Sequence, residues 1–123
     1  MNKERRIKIL KTLVDLDIVD VMTNTTNIMY KYLILDEYQV FTKVQSISVY
    51  LYTYMMKEYA LDQGLGCLQS HFDNKYGYCN TMPLLWECGN QGYYGASFEA
   101  FTEWEAVEGA FEYCIKKHKK LDR

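Results

Sequence analysis

The chain has 123 residues, of which 49% are hydrophobic and 24% are charged, and its formal net charge at pH 7 is -2. This length and composition exclude a disordered chain and predict one globular domain over residues 1–123. The near-neutral charge excludes a general attraction to nucleic acid or to an anionic membrane surface.

The pattern of apolar residues predicts a cytoplasmic protein. No segment has the roughly 18 uninterrupted apolar residues of a membrane helix, so we expect no membrane partner. No apolar signal core follows the basic residues at the N-terminus. Thiols stay reduced in the cytoplasm, so we expect the four cysteines to be free and to pack as small apolar side chains. They are Cys67, Cys79, Cys88 and Cys114.

Residues 1–40 predict a helical N-terminal part. Apolar residues recur at steps of three and four, which indicates a helix over residues 3–22. The stripe consists of Ile7, Leu10, Val14, Ile18 and Val21. The polar residues 23–27 then predict a turn. The apolar segment 28–36 is too short to be typed by its period, so helix and strand both stay open.

Residues 40–62 fit two patterns. Val44, Ile47, Leu51, Met55 and Tyr59 form a helical stripe, whereas residues 47–55 also alternate as in a strand. About 20 residues without a breaker are long for a strand, and Gly64 follows where a helix would place its C-terminal glycine. We therefore predict a helix over this segment.

Residues 65–94 predict antiparallel strands joined by hairpins. Short apolar runs are separated by turn signals at residues 73–75 and 89–92. Pro83 cannot donate a hydrogen bond to a neighbouring strand. It therefore predicts an edge, a bulge or a break between two short strands.

Residues 98–119 predict a long amphipathic helix. Its apolar face has Trp104, Val107, Phe111, Cys114 and His118, flanked by Ala100, Phe101, Ala110 and Ile115. Glutamates come first and lysines last, which suits the helix dipole, and Glu112 can pair with Lys116. Ser97 and Thr102 compete as the N-cap. Gly109 costs about 1 kcal/mol relative to alanine, which is tolerable if a strand backbone or an aromatic ring packs closely there.

These elements together predict an α+β fold. It has N-terminal helices, a small antiparallel sheet of about three strands, and a long C-terminal amphipathic helix packed on that sheet. Within the single domain, residues 1–40 form the helical part and residues 41–123 contain the second helix, the hairpins and the C-terminal helix.

The sequence has no catalytic constellation. Cys67 and His71 have metal-binding side chains, but on a strand they would lie about 13 Å apart, too far for one ion. We therefore expect no metal, no cofactor and no enzymatic activity. The carboxylates between Glu99 and Glu112 are explained as a solvated helix face. A cysteine- or zinc-dependent enzyme is the weaker alternative.

The chain has 12 tyrosines, several of them in tight groups. Tyrosine combines a large apolar ring with a hydroxyl that tolerates water, so it is common at interfaces. The ordinary interpretation is that these rings serve the core and rim of the domain itself. The alternative is an aromatic binding face, for which Trp86, Tyr93 and Tyr94 are the candidate residues.

A nucleic-acid-binding module is a further alternative. Helix, three strands and helix is the topology of double-stranded-RNA-binding domains, which is an analogy of fold only. Those modules place basic residues at the start of the last helix. Glu99 and Glu103 hold that position here and would repel phosphates. Nucleic acid is therefore not the favoured partner.

The C-terminal part resembles a widespread type of small uncharacterised protein from phages, prophages and mobile elements of gut bacteria. These end in a strand, a tyrosine-containing turn and a helix similar to Ser-Tyr-Glu-Glu-Ala-Leu-Glu-Ala-Gly-Leu. The likeness rests on Gly92-Tyr93-Tyr94, Ser97-Phe98-Glu99-Ala100 and residues 103–111. It implies an α+β fold and a mobile-element origin, and brings no activity or functional residues.

The sequence therefore predicts a non-enzymatic accessory protein, encoded by a phage or mobile element, that binds another macromolecule. A protein is the expected partner, and its identity does not follow from the residues. Pairing of sheet edges in a homodimer also stays open.

Overall fold

The computed structural model describes residues 3–73, 78–87, 90–93 and 96–121, with side chains for residues 3–72 and 96–117. The elements are α1 (Lys3–Val14), β1 (Asp17–Thr23), β2 (Asn27–Leu35), β3 (Val40–Ser48), α2 (Val49–Asp62), β4 (Cys67–Asp73), β5 (Tyr78–Glu87), β6 (Asn90–Tyr93), β7 (Phe98–Ala100) and α3 (Glu103–Leu121).

The fold is α+β, as predicted, with the C-terminal helix packed on an antiparallel sheet. The chain divides into two compact units, Met1–Tyr52 and Thr53–Arg123. The first contains α1 and the sheet β1-β2-β3, and the second contains the sheet of β4 to β7 and α3. That the whole chain acts as one domain stays a prediction.

The first helix is shorter than predicted. It ends at Val14, because Asp15 adopts a left-handed backbone conformation with φ of 53°. Its N–H still donates to the Lys11 carbonyl at 3.1 Å, and aspartate is one of the few residues that tolerate this conformation. The predicted helix is therefore wrong beyond residue 14, and so is the helical assignment of residues 15–40.

The bulge in β1 explains that error. Ile18 and Val21 are both buried although they lie three residues apart. The register with β2 shifts between Ile18 and Asp20, so Val19 is an extra residue in β1. The extra residue turns the strand period of two into a step of three, the step that a helix also produces.

Two turns connect the strands of the first sheet. The predicted turn at residues 23–27 joins β1 to β2, and the Asn24 Oδ1 atom accepts the N–H groups of Thr26 and Asn27 at 2.9 and 2.8 Å. Segment 28–36, left open by the sequence, lies largely in the central strand β2. Asp36 and Gln39 close the hairpin to β3 through two backbone hydrogen bonds.

The predicted helix over residues 40–62 is wrong in its first part. Residues 40–48 form β3, and α2 begins at Val49 because the Ser48 hydroxyl caps it by accepting the Leu51 N–H at 3.0 Å. The stripe through Leu51 is not the buried one, since that side chain is 46% exposed. The buried residues of α2 are Val49, Tyr52, Thr53, Met56 and Ala60.

The glycine at the end of α2 has the predicted role. Gly64 has φ of +68°, the left-handed conformation of a helix C-cap. Its N–H donates to Leu61 at 3.2 Å, and the Leu65 N–H donates to Ala60 at 2.8 Å. These two bonds form a Schellman motif that satisfies the last carbonyls of the helix.

The second sheet is built around β5. This strand pairs with β4 on one side and with both β6 and β7 on the other. Its pairs with β7 end at Thr81 and those with β6 begin at Leu84, so Pro83 falls between them. Pro83 predicted an edge, a bulge or a break between two short strands, but β5 continues through Pro83 as one strand of ten residues, so the break is wrong. Pro83 lies at the gap between β6 and β7, where a strand tolerates proline better.

Two turns were predicted in the second sheet, at residues 73–75 and 89–92. Residues 90–92 belong to β6, so the turn predicted at residues 89–92 is wrong for them. They pair with β5, Asn90 opposite Glu87 and Gly92 opposite Leu85, and this pairing keeps them extended. In the turn predicted at residues 73–75, Asp73 ends β4, and residues 74 and 75 lie outside the described residues.

The C-terminal helix begins at Glu103, and its predicted start at residue 98 is wrong because Phe98–Ala100 pairs with β5 as β7. Thr102 is the cap. Its hydroxyl oxygen accepts the Glu105 N–H at 3.4 Å, and the hydroxyl donates to the Glu105 carboxylate at 2.6 Å. The first of these bonds is that of an N-cap, so of the two candidate caps Thr102 starts the helix.

The face of α3 that packs on β4, β5 and β7 is largely the predicted one. Its buried apolar residues include Trp104, Val107, Ala110, Phe111 and Cys114. The prediction is wrong for Ala100, which lies in β7, and for Phe101, which precedes the helix and is 87% exposed. The predicted solvated helix face is wrong for Glu99, which also lies in β7, and for Glu108, which is buried. The predicted pair of Glu112 and Lys116 forms at 3.5 Å. The side chain of His118 lies outside the described residues.

Gly109 packs against an aromatic ring, as the sequence suggested. A Cβ atom at Gly109 would lie 3.0 Å from Cδ1 and 3.2 Å from Cβ of Phe98. The Phe98 ring in turn packs against Tyr113, with 5.5 Å between the ring centres. Because Phe98 Cβ is attached directly to the backbone of β7, making room would require a shift of the strand.

The two candidate caps give a direct test of the start of α3. Thr102→Ala should lower the free energy of unfolding by about 1 kcal/mol, because it leaves the Glu105 N–H without its partner. Ser97→Ala should change it by less than about 0.5 kcal/mol, since Ser97 is exposed and precedes β7. Urea unfolding followed by circular dichroism measures both. An equal loss in the two variants would contradict this assignment.

The contact of Gly109 with Phe98 predicts a change of sign between two backgrounds. Gly109→Ala should destabilise the natural chain by about 1 kcal/mol, because crowding outweighs the better helix propensity of alanine. In a Phe98→Ala background the same change should stabilise by up to about 1 kcal/mol. A double-mutant cycle by urea unfolding measures the coupling. The same sign in both backgrounds would refute the close contact.

Candidate binding surface

The first sheet has one covered face. Helix α1 packs on β1, and the Arg6 Nη1 atom donates to Thr23 Oγ1 at 3.3 Å. The buried residues on this side are Ile9, Leu10, Ile18, Val21, Ile28 and Tyr30. This face is therefore the core of the first unit.

The opposite face of the sheet is exposed. Because side chains alternate along a strand, the neighbours of the buried residues point away from α1. We call this surface the open face, and it consists of Met22, Met29, Lys31, Leu33, Leu35, Val40, Thr42, Val44 and Ser46. Met22, Leu35, Val40 and Val44 are 65%, 81%, 58% and 62% exposed. The open face is thus a mainly apolar surface in contact with water.

The register places its apolar residues side by side. Met22 is opposite Met29 across β1 and β2, and Leu35 is opposite Val40 across β2 and β3. Val44 is opposite Lys31, one step diagonally from Met29. Such neighbours lie about 5–8 Å apart, so the side chains form a continuous strip rather than isolated points.

One cation of the open face has an acidic neighbour. Asp20 is opposite Lys31 in the register. A hydrogen bond from Lys3, at 2.6 Å, lowers the pKa of the Asp20 carboxyl, as do the Val21 N–H and the charge of Lys31. Asp20 stays ionised at neutral pH, but it is shared with Lys3 and offsets the charge of Lys31 only in part. Lys31 is the one cation among the residues of the open face.

The binding residues predicted from the sequence belong to the second sheet. Trp86 lies in β5 opposite Gln91, and Tyr93 lies in β6 opposite Leu84. The hairpin therefore brings the backbones of Trp86 and Tyr93 onto neighbouring strands. Tyr94 lies outside the described residues. A binding role for these three residues stays a prediction.

The open face was not predicted from the sequence, because the residues of two of its three strands have the spacing of a helix. The usable signals were the bulged spacing at Ile18 and Val21 and the β-branched residues of segment 40–48. Several tyrosines also divide between core and surface: Tyr30 and Tyr52 are buried, whereas Tyr38, Tyr50 and Tyr54 are exposed.

The cysteines and His71, the candidate metal ligands, do not come together in one group among the described residues. Cys67 and His71 lie four residues apart on β4, as the spacing predicted, and Cys79 in β5 is opposite Phe72 rather than either of them. Cys88 lies outside the described residues. In the part of the chain that the structure describes, no three His, Cys, Asp or Glu residues come together in a group suited to a metal ion.

Cys114 is a buried free thiol, and Cys67 is a half-buried one. Burial raises the pKa of Cys114 to about 12. A thiol with this pKa is almost entirely protonated at neutral pH, and the thiolate is the nucleophilic form. Cys114 therefore serves α3 as a small apolar side chain, as the sequence predicted.

Among the described helices, none has the length and apolar character needed to cross a membrane. No protein family matches the chain, and neither a curated protein nor a solved structure matches it. The open face of the first sheet is a candidate surface formed by described side chains, and Trp86 and Tyr93 stay candidates from the sequence.

The pKa and burial of Cys114 predict slow alkylation. With iodoacetamide at about pH 8, Cys114 should react at least about a hundredfold more slowly than Cys67, because its thiolate fraction is on the order of 10⁻⁴. Peptide mass spectrometry at timed intervals measures both rates. In denaturant the two rates should converge. Equal rates in the native protein would contradict the burial of this thiol.

Proposed function

We propose that this chain is a non-enzymatic accessory protein, encoded by a phage or another mobile element, that acts by binding a partner protein. The observation that carries the proposal is the open face of the first sheet. The proposed mobile-element origin rests on the resemblance of the C-terminal segment to small proteins of phages and mobile elements. Sequencing the genes on either side of the coding sequence would test this origin.

The open face supports binding because its apolar residues are contiguous. Single exposed apolar side chains are common on soluble proteins, but a connected apolar surface marks an interaction site more often. Its members Met22 and Met29 are flexible and polarisable, so they adapt to the shape of an apolar partner. Burial of such a strip against a matching apolar surface would supply the driving force of binding.

The charges favour a protein partner over nucleic acid. Lys31 is the one cation among the residues of the open face, so the surface offers no row of cations for phosphates. In the second unit, α3 starts with Glu103 and Glu105, which would repel a phosphate at that helix end. A protein with an exposed apolar surface is the partner chemistry that fits.

Lysine substitutions on the open face test the proposal. A Met22→Lys, Leu35→Lys double variant should lose capture of the partner from host lysate, because both added charges would have to be desolvated in the complex. Binding of the purified partner should weaken by about tenfold or more. Both replaced side chains are exposed, so the fold should persist by circular dichroism.

A Tyr38→Lys, Phe101→Lys variant is the matched control, since it adds the same two charges at exposed positions outside the open face. It should capture the partner as the natural chain does. A third bait with Trp86, Tyr93 and Tyr94 changed to alanine tests the residues proposed from the sequence. If all three baits capture the same proteins as the natural chain, both binding surfaces are refuted.

A further inference from the structure

The first sheet has two outer strands, β1 and β3, and they differ in their capacity to pair further. The bulge at Val19 interrupts β1, and Asp17 and Asp20 form ion pairs there with Lys11 and Lys3. Bulges and charges on an edge strand obstruct the addition of another strand. The edge at β1 is therefore blunted.

The edge at β3 lacks these obstacles. Its nine residues pair with β2 in an unbroken register from Ser48 to Val40. The strand contains no proline, its one charged residue is Lys43, and residues 40–46 are all exposed. A long, regular and exposed edge of this kind is a template for pairing with another strand.

The hydrogen bonds of the hairpin show which backbone groups of β3 face outward. Asp36 and Gln39 exchange two bonds, at 2.9 and 3.3 Å, and the Val49 N–H donates to the Thr26 carbonyl at 2.9 Å. Bonded and non-bonded pairs alternate in an antiparallel ladder. The odd-numbered residues from Phe41 to Ile47 therefore bond to β2. The N–H and C=O groups of Val40, Thr42, Val44 and Ser46 point to the free edge. The N–H of Ser48 does so too, whereas the carbonyl of Ser48, as the N-cap residue, accepts the first hydrogen bond of α2.

We propose that β3 pairs antiparallel with β3 of a second copy of this chain, about a twofold axis at Val44. This register makes Val44 face Val44 of the second copy. Thr42 then faces Ser46, and Val40 faces Ser48. All five residues with outward backbone groups are paired, because Val44 is the midpoint of the strand.

The side chains favour the same register. With the axis at Val44, Lys43 faces the neutral Gln45 of the second copy, and Phe41 faces Ile47, an aromatic and β-branched pair that stabilises sheets. With the axis at Lys43, the two lysines would face each other across the non-bonded position, where side chains are closest. The charge pattern is therefore self-complementary at one register and repulsive at the next.

The assembly closes at two copies. The twofold axis joins two three-stranded sheets into one, and its outer strands are then the two blunted β1 strands. The axis is perpendicular to the sheet, so both open faces lie on the same side. The dimer does not depend on the partner protein proposed above, because it uses the edge of the sheet rather than its open face.

Two variants at the same exposed positions test the dimer and its register. Thr42→Glu with Ser46→Glu places like charges opposite each other twice across the axis. Thr42→Lys with Ser46→Glu places opposite charges there instead. Sedimentation equilibrium should show a dimer for the natural chain, and a dissociation constant about tenfold or more higher for the first variant than for the second.

A monomeric natural chain at concentrations up to about 1 mM overturns the proposal. Equal dissociation constants for the two variants also overturn it, because the proposed register places residue 42 directly opposite residue 46 of the second copy. Circular dichroism checks that both variants fold. Loss of partner capture in the Met22→Lys, Leu35→Lys variant, with the dimer intact, separates the two proposals.

Discussion

A strand directs alternate side chains to opposite faces of its sheet, and in the first unit α1 packs against one of those faces. This constraint divides the residues of β1, β2 and β3 into two sets. The set with Ile18, Val21, Ile28 and Tyr30 forms the core, and the set with Met22, Leu35 and Val44 stays in contact with water. The candidate binding surface is the consequence of a sheet with more apolar residues than one helix can cover.

The bulge at Val19 serves both the core and the edge of this sheet. It lets Ile18 and Val21 point to the same side, although they are three residues apart, so both can pack beneath α1. The same bulge disrupts the outer ladder of β1. The irregularity that completes the core thus leaves β3 as the regular edge, and β3 also contributes residues to the open face.

The second unit is organised around the contact between β7 and α3. Phe98 could have continued the helix by its amphipathic pattern, but it pairs with Thr81 in β5 and places its ring against Gly109. Thr102 then caps the helix four residues later, so the chain can turn from strand to helix. Glycine at residue 109 is explained by this close approach, since any side chain there would meet the Phe98 ring.

Several features follow from the sequence alone because they depend on neighbouring residues. Gly64 ends α2 through its left-handed conformation, Thr102 caps α3 by accepting the Glu105 N–H, and the apolar stripe from Trp104 to Cys114 has the period of one helix face. The turn at residues 23–27 and the strand at Cys67 are of the same kind. Each is decided within a few residues.

Where local sequence signals conflicted, only the tertiary structure decided between helix and strand. The sequence of residues 40–62 favoured a helix over a strand, but pairing with β2 selected a strand for residues 40–48, up to the cap at Ser48. Ile18 and Val21 have helical spacing, and only the register with β2 reveals the bulge that produces it. The open face and the free edge of β3 could not be predicted, because both arise from which strands are neighbours. Strand pairing joins residues far apart in sequence, so no local period encodes it.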